Sequence, residues 1–478
     1  MRMPGSRSEF FRGSRAPDET WFSSSTASTI SERGYRAASA DFAALLARGV
    51  RTSLQVPDWL CGIRARLLAL YGREGAEAVL AASGTDAELI ALAIADRLLR
   101  RPLTNIVVAP NETGSGVAKA AAGLNFLATS CLGGPVPMGE RLAGWADADI
   151  EVASVDIRDL EGEPREPAAV DQEVAAHAER ALARGRGVLL HLLDTSKTGL
   201  AGPSRGMAAQ IVASAPERVL VLVDACQLRC PADRLRSDLD RGFLVLVTGS
   251  KFAGGPPLSG ALLLPQAIAT GLRSAPLPPE GLADYSARLD WPERLQEAFA
   301  REMTTTANLG LGLRWSAALA ELERLAQVDP RLQERFLDRF EREVRLRAGM
   351  TPRVSLLGDR VHGIAPNPSI VPLVLTRADG AFMSCAEAAR VQSDLRSVIA
   401  TRAIAGAAPS LRRIVHVGQP VQLGPRAVLR VCASAPQVNA VAEQVAQGAA
   451  FEDAFAPVGA DLQALFAKLG HVLGGECV

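Results

Sequence analysis

Val219-Leu-Val-Leu-Val-Asp-Ala-Cys-Gln227 is an apolar run that ends in a polar cluster, and Phe243-Leu-Val-Leu-Val-Thr-Gly-Ser-Lys251 repeats this pattern further along the chain. Short apolar runs without alternation predict strands that are buried on both faces, as in the parallel sheets of α/β proteins. In such sheets, ligands bind outside the carboxyl ends of the strands. We therefore expect Asp224 and the segment 248–251 to face one cavity.

Lysine is rare in this sequence: only four of the 52 Lys and Arg residues are lysines, and Lys251 is one of them. An arginine guanidinium stays protonated and cannot form an imine, whereas a desolvated lysine amine can lose its proton and condense with an aldehyde. Lys251 is therefore a candidate for carbonyl chemistry. The alternative is a surface lysine whose aliphatic stem packs at a strand end.

Asp224 supplies a second group for the same chemistry. Pyridoxal phosphate (PLP) needs a lysine that condenses with its aldehyde and a carboxylate that keeps its pyridine nitrogen protonated. Lys251 and Asp224, at two predicted strand ends, meet both needs, and the protonated ring then withdraws electrons from a carbanion at the substrate Cα. PLP is thus the predicted cofactor. A buried aspartate that only caps a helix is the alternative interpretation of Asp224.

The segment Ser83-Gly-Thr-Asp86 predicts a phosphate site. It stands directly before the apolar stretch 87–95, which indicates a helix that begins with a polar turn. Free backbone N–H groups and the helix dipole at such an N-terminus attract an anion. Many helices begin this way, so the turn supports the PLP prediction without establishing it.

Three motifs resemble those of a known family when they are taken in chain order: Ser83-Gly-Thr-Asp-Ala-Glu88, Asp224-Ala-Cys-Gln227 and Thr248-Gly-Ser-Lys251. They are similar to motifs of the PLP-dependent enzymes with the aspartate aminotransferase fold, in particular the class V aminotransferase and cysteine desulfurase group. The resemblance extends from about residue 50 to about residue 435. It implies an α/β fold with a large domain, whose mainly parallel sheet is sandwiched by helices, and a smaller α+β C-terminal domain.

The length of 478 residues suits two domains rather than one compact core. We expect residues 1–50 to form an N-terminal tail or arm. Residues 51–310 would form the large PLP-binding domain, and residues 311–478 the small C-terminal domain.

By resemblance, the catalytic residues are Lys251, which holds the cofactor as an aldimine, and Asp224, which pairs with its ring nitrogen. Gln227 would bond the phenolic oxygen of the cofactor. The other cofactor-binding residues that the resemblance implies are Ser83, Gly84, Thr85, Asp86, Thr113, Thr195, Thr248, Ser250 and Thr306. Thr306, or its neighbour Thr305, would reach the phosphate of a partner subunit. We therefore expect a homodimer with active sites at the interface.

Arg430 is the predicted substrate-binding residue. It lies inside the apolar run Val428-Leu-Arg-Val-Cys432, where an unpaired charge is costly to bury. Its partner is either an internal carboxylate or the α-carboxylate of an amino acid. The resemblance favours the substrate, because a late-strand arginine of the family holds the substrate carboxylate.

Two departures from the cysteine desulfurases affect the predicted reaction. Those enzymes have a histidine that stacks on the cofactor ring and another just before the cofactor lysine. Here the loop 109–116 has no histidine, so Thr113 or a neighbour would cover the ring, and Ser250 precedes Lys251. Cys385 falls where a desulfurase carries its mobile cysteine, but a helical pattern follows it and indicates a helix start.

We therefore expect elimination, replacement or amino transfer on an amino-acid substrate, through a Lys251 aldimine and a Cα carbanion. The alternatives are an activity like that of cysteine desulfurase or selenocysteine lyase, a decarboxylase, and a catalytically silent relative that acts as a binding or scaffold protein. Lys197 lies in a polar segment after the apolar run 188–193, and the sequence leaves its role open.

Composition argues against several other classes of partner. The chain has 52 acidic and 52 basic residues, so its net charge is zero and no surface for nucleic acid is indicated. No apolar stretch reaches the ~18 residues of a membrane span, and the first residues lack the apolar core of a secretory signal. The seven cysteines lack the paired spacing of a metal site. We expect reduced thiols, no metal and a cytoplasmic location.

Overall fold

Two β-sheets with helices packed around them organise the chain, as seen in a computed structural model that describes residues 19–47, 55–357, 367–398 and 409–474. The strands are β1 (Glu19–Phe22), β2 (Glu77–Ala81), β3 (Leu103–Val108), β4 (Ile150–Val155), β5 (Gly187–Leu193), β6 (Val219–Ala225), β7 (Leu244–Thr248), β8 (Gly260–Leu264), β9 (Val354–Leu356), β10 (Ile370–Leu375), β11 (Ile414–Leu423) and β12 (Arg426–Cys432).

Along the chain, most helices of the first part alternate with the strands of the larger sheet, and further helices follow that sheet. They are α1 (Glu32–Ala47), α2 (Gln55–Tyr71), α3 (Gly84–Leu99), α4 (Val117–Ala121), α5 (Pro167–Ala183), α6 (Arg205–Ser214), α7 (Ala232–Asp240), α8 (Gln266–Leu272), α9 (Glu293–Gln296), α10 (Leu309–Leu325), α11 (Pro330–Met350), α12 (Cys385–Leu395), α13 (Ala435–Ala446) and α14 (Phe451–Val472). None of these helices combines the length and apolar character that a membrane crossing requires.

The larger sheet has seven strands in the order β2-β8-β7-β6-β5-β3-β4. The pairs from β7 through to β4 are parallel, and β8 runs antiparallel to both its neighbours. Strands β5 and β7 are buried along their whole length, because apolar clusters cover both faces of the sheet. The predicted fold class, a mainly parallel sheet sandwiched by helices, is confirmed.

The two apolar runs that predicted strands are β6 and β7. They pair in parallel, with Val223 opposite Val245 and Asp224 opposite Leu246. Their carboxyl ends therefore meet at the same edge of the sheet, as expected. This edge brings Asp224 close to the segment that leads to Lys251.

The smaller sheet has five strands in the order β1-β11-β12-β10-β9. Strands β9 to β12 pair antiparallel, and β1 pairs parallel with β11. Its core includes Phe340 of α11, Leu429 of β12 and Leu465 of α14, all of which are buried. This is the α+β region that the sequence predicted, except that its first strand comes from the N-terminal segment.

Strand β1 and helix α1 lie in the segment that was predicted to be a tail or arm. Helix α1 packs closely on α10, since a Cβ added at Gly34 would lie 2.9 Å from the carbonyl oxygen of Ala317. Residues 1–18 of this segment lie outside the described residues. The domain bounds at residues 50 and 310 stay predictions.

Candidate active site

The carboxyl ends of β6 and β7 form the centre of the site. Asp224 is buried, and its Oδ1 accepts a hydrogen bond from the Cys226 N–H at 2.9 Å. Thr248, also buried, donates from Oγ1 to the Cys226 carbonyl at 2.7 Å. The two polar clusters that follow these strands are thus joined through the backbone of Cys226.

Lys251 reaches the same cysteine. Its Nζ donates to Cys226 Sγ at 2.8 Å, and its carbonyl accepts from the Ser28 hydroxyl. Burial and the charge of Asp224 raise the pKa of the Cys226 thiol to about 12, although Lys251 opposes this shift. Cys226 is therefore a neutral thiol beside the amine and not a nucleophile.

The predicted phosphate turn packs against this centre. Ser83 is the N-cap of α3, and its Oγ accepts from the Asp86 N–H at 3.2 Å. A Cβ added at Gly84 would lie 3.6 Å from both Cys226 Cβ and Thr248 Cγ2, an ordinary van der Waals distance, so the turn lies directly against this centre. The structure thus brings together the three motifs that are far apart in the sequence.

Asp86 has a capping role within this turn. Its carboxylate bonds to the Ser83 hydroxyl, and burial raises its pKa to about 6. A charged Asp86 would repel a phosphate, so its place among the cofactor-binding residues stays a prediction.

Two further loops border the site. Thr113 is buried, with its hydroxyl on the Pro110 carbonyl at 3.0 Å, and a Cβ added at the next residue, Gly114, would lie 3.1 Å from Thr85 Oγ1. Thr195 is buried after β5 and donates to Asp194 Oδ2 at 3.1 Å. The loop with Thr113 therefore contacts the predicted phosphate turn, and its expected place over the cofactor ring stays a prediction.

Gln227 is held by a segment that sequence reasoning did not assign to the site. Its Nε2 donates to the Ser25 carbonyl at 3.0 Å, and its Oε1 accepts from Arg229 Nε at 3.3 Å. Arg229 also donates to Ser24 Oγ at 2.8 Å. Ser28 N–H donates to the Ser250 carbonyl at 2.8 Å, so the segment that follows β1 runs past Lys251. The run of hydroxyl residues after Phe22 was the available signal.

Arg430 is fully buried on β12 and makes hydrogen bonds only to neutral oxygens within the described residues. Its Nη2 donates to Thr26 Oγ1 at 2.9 Å and to the Gln419 carbonyl at 2.5 Å, and its Nη1 donates to the Lys197 carbonyl at 3.4 Å. Its Nε has no partner there. Burial lowers the pKa of Arg430 to about 10. An internal ion pair, one of the two expected partners, is not found in the part of the chain that is described.

Lys197 lies beside Arg430 and Lys251. Burial, followed by the positive charges of these two residues, lowers the pKa of Lys197 to about 8. The only signal of this in the sequence is the scarcity of lysine.

His191 of β5 and Glu88 of α3 form a buried pair that sequence reasoning also missed, with His191 Nδ1 3.0 Å from Glu88 Oε2. Burial raises the pKa of Glu88. Burial favours neutral His191, but the carboxylates of Glu88 and Asp224 outweigh this effect and raise the histidine pKa. His191 thus couples Asp224 electrostatically to the helix that begins at the phosphate turn.

The hydrogen bonds of Thr306 are made to a different part of the chain. The carbonyls of Thr305 and Thr306 accept from the N–H groups of Arg288 and Leu289, both at 2.9 Å. Thr306 is exposed in the single chain. Its expected contact with a partner subunit stays a prediction.

Solved structures share this fold, although no protein-family model and no curated sequence matches the chain. A NifS-like protein from Rickettsia africae is similar with a TM-score of 0.54 and 9% identity, over 95% of this chain and 99% of that one. The cysteine desulfurase CsdA from Escherichia coli has a TM-score of 0.55 and 14% identity, over 95% and 94% of the two chains. The cystine C–S lyase C-DES, solved with its product cysteine persulfide, has a TM-score of 0.55 and 14% identity, over 95% and 98%. The chain therefore has the fold of the NifS-like and cysteine desulfurase structures.

Proposed function

We propose that this chain is a PLP-dependent enzyme that acts on an amino acid. The observation that carries the proposal is the meeting of three motifs around Cys226. Lys251 Nζ lies 2.8 Å from its thiol, and Asp224 accepts its N–H. Gly84 of the phosphate turn packs against its Cβ. A lysine, a carboxylate and a helix N-terminus within one site are the groups that PLP requires.

The residues present fit this cofactor part by part. Lys251 would bind the aldehyde, and Asp224 would hold a proton at the ring nitrogen. The N-terminus of α3, with the Thr248 hydroxyl beside it, would bind the phosphate. When bound, PLP supplies an electron-withdrawing ring that stabilises negative charge at the substrate Cα.

Arg430 would bind the α-carboxylate of the substrate. A guanidinium has five N–H donors, and Arg430 uses three of them on protein oxygens. Its buried Nε, which lacks a partner among the described residues, supports a ligand there, because leaving a charged donor unsatisfied is costly.

Lys251 is the group that would move the Cα proton. Its amine can accept and return a proton when it is not bound to the cofactor. Cys226 Sγ, at 2.8 Å, orients this amine and stays protonated itself because burial raises its pKa. The Cys226 N–H fixes the Asp224 carboxylate, which would bind the ring nitrogen of the cofactor.

We propose elimination, replacement or amino transfer as the reaction class. A cysteine desulfurase and a C–S lyase are among the similar structures, which favours testing bond cleavage at the substrate side chain first. Desulfurase and selenocysteine lyase-like activities remain alternatives, as does decarboxylation. Cys385 argues against a mobile sulfur carrier, since it is the first residue of α12 and follows the Ser384 capping box.

We also propose that the enzyme is a cytoplasmic homodimer. The cysteines of the described ranges are free thiols, which suits a reducing compartment. The resemblance of the segment 304–306 to a partner-facing stretch supports a second copy beside the phosphate turn.

The experiment is reconstitution of the purified protein with PLP, followed by borohydride reduction and peptide mass spectrometry. We expect a visible absorption band and a pyridoxyl group on Lys251, because reduction fixes an imine at the lysine that formed it. Lys251→Ala should lose this attachment, and Lys119→Met should retain it. A pyridoxyl group on Lys197 would show that Lys197, and not Lys251, binds the cofactor aldehyde. A protein that stays colourless with added PLP would support the silent binding or scaffold relative instead.

A further inference from the structure

Lys197 is a cation that the proposed chemistry does not use. Its backbone is fixed: its N–H donates to the Glu112 carbonyl at 3.0 Å, and its carbonyl accepts from Arg430 Nη1 at 3.4 Å. Ser196 tightens the turn, because its Oγ accepts from the Thr198 N–H at 3.1 Å. A well-held turn therefore presents Lys197 next to the predicted carboxylate-binding residue.

The charges around Lys197 are mainly positive. Burial and the charges of Arg430 and Lys251 lower its pKa to about 8. Glu112 also faces it, but this carboxylate already binds Arg158 at 2.5 Å. Cys226, the remaining titratable neighbour, is a neutral thiol. Lys197 is half-buried, and within the described ranges its Nζ has neither a hydrogen bond nor an ion pair.

The proposed function accounts for the other cations near Lys197 but leaves this residue without an anion. Lys251 is assigned to the cofactor aldehyde, and Arg430 to the substrate α-carboxylate. The phosphate is assigned to the N-terminus of α3. A half-buried ammonium among other cations is costly unless a ligand compensates its charge.

We propose that Lys197 binds an anionic group on the side chain of the substrate, so that the enzyme prefers amino acids with an acidic side chain. This inference rests on the proposed PLP function and specifies its substrate class. Arg430 and Lys197, joined through the Lys197 carbonyl, would hold the two ends of a dianion. A carboxylate and a sulfonate both meet the requirement, since each accepts hydrogen bonds from an ammonium.

Binding of unreactive substrate mimics to the PLP-loaded protein tests this proposal without turnover. The dianions are succinate, glutarate and 3-sulfopropanoate, and the matched monoanions are butyrate and pentanoate. At neutral pH, calorimetry should show that dianions bind at least about tenfold more tightly than monoanions. One charge-assisted hydrogen bond provides a difference of this size. A gain for either kind of dianion supports the proposal, and the kind that gains most identifies the anionic group.

Substitutions of Lys197 test whether this residue causes the preference for dianions. Lys197→Met should abolish it and leave monoanion affinity within about twofold, because Arg430 is retained, and Lys197→Arg should preserve it. Lys119→Met is the control for loss of a lysine outside the site. Equal affinity for both kinds of mimic in the unaltered protein, a preference that survives in Lys197→Met, or loss of PLP from that variant would each overturn the proposal. Absence of the PLP band in the unaltered protein would instead overturn the proposed function, and this inference with it.

Discussion

The protonation of Lys197 should make the affinity for dianionic ligands depend on pH. Its pKa is lowered to about 8, so it is charged below that pH and neutral above it. A bound anion stabilises the charged form, which means that affinity for a dianion should fall as the pH rises through 8 and beyond. We expect the ratio of glutarate to pentanoate affinity to decrease over this range by about tenfold.

The ratio isolates Lys197 from other titrating groups, because pentanoate would contact the same cofactor and Arg430. In Lys197→Arg the ratio should stay flat over the same range, since a guanidinium keeps its proton. Calorimetric titrations at several pH values measure both ratios. A ratio that does not change with pH in the unaltered protein would show that Lys197 does not contact the second anionic group.

Residue types indicated the candidate residues at the strand ends, but not the charged residues around them. Lys251 and Asp224 could be named as candidates because each stands at or just after the end of a buried strand and because their chemistry is specific to few side chains. Lys197 and His191 were not assigned a role, since their significance depends on which charges lie around them after folding. The neutral acceptors of Arg430 could not be predicted either, because two of them are backbone carbonyls, one on the neighbouring strand β11 and one in the distant turn that holds Lys197.

The N-terminal cap of helix α3 can be tested by substitution. Ser83→Ala removes the hydroxyl that accepts the Asp86 N–H, which should lower the free energy of unfolding by about 1 kcal/mol. It should also weaken PLP binding, because the cap orients the N–H groups that would bind the phosphate. Chemical denaturation and PLP titration of the same preparations measure the two effects.

Ser204 offers a matched control for that substitution. It caps α6 in the same way, with its Oγ accepting from the Met207 N–H at 3.1 Å, but α6 contributes no residue to the predicted cofactor site. Ser204→Ala should cost a similar free energy of unfolding and leave PLP affinity unchanged. Equal losses of PLP affinity in both variants would mean that Ser83 acts only through stability.

Apolar patterning was sufficient for the elements that carry the motifs. The runs at 219–223 and 243–247 are strands, and the stretch after Ser83 is helix α3. Strand β1 was not recognised, because a four-residue strand is too short to show a period and gains its stability by pairing with β11 far along the chain. Its continuation through Ser24 and Ser25 reaches the site only as a result of that pairing.

The candidate site takes its residues from both sheets of the molecule. Asp224 lies on β6 and Lys251 follows β7 of the larger sheet, and Arg430 lies on β12 of the smaller sheet. Arg430 connects three separate segments, since it donates to Thr26, to Gln419 and to the turn that holds Lys197. If Arg430 binds the substrate as proposed, substrate recognition and the relative placement of the two sheets would be coupled through one guanidinium.

A second copy of the chain is the last prediction, and an apolar patch near the site supports it. Leu127 and Met138 lie on opposite arms of a hairpin-like segment joined by the bridges Leu124–Arg141 and Thr129–Pro135, and each is 56% exposed. Paired exposed apolar side chains favour association. Sedimentation equilibrium should therefore give about twice the chain mass of 50.4 kDa.

The patch can be distinguished from other exposed apolar side chains by substitution. Leu127→Asp combined with Met138→Asp should shift the protein towards monomer, because a buried unpaired carboxylate opposes association. Leu160 is 90% exposed and lies away from this hairpin, so Leu160→Asp should leave the mass unchanged. If Thr306 completes the phosphate site of the partner, the double variant should also bind PLP more weakly. A monomeric unaltered protein that binds PLP normally would instead mean that one chain forms the whole cofactor site.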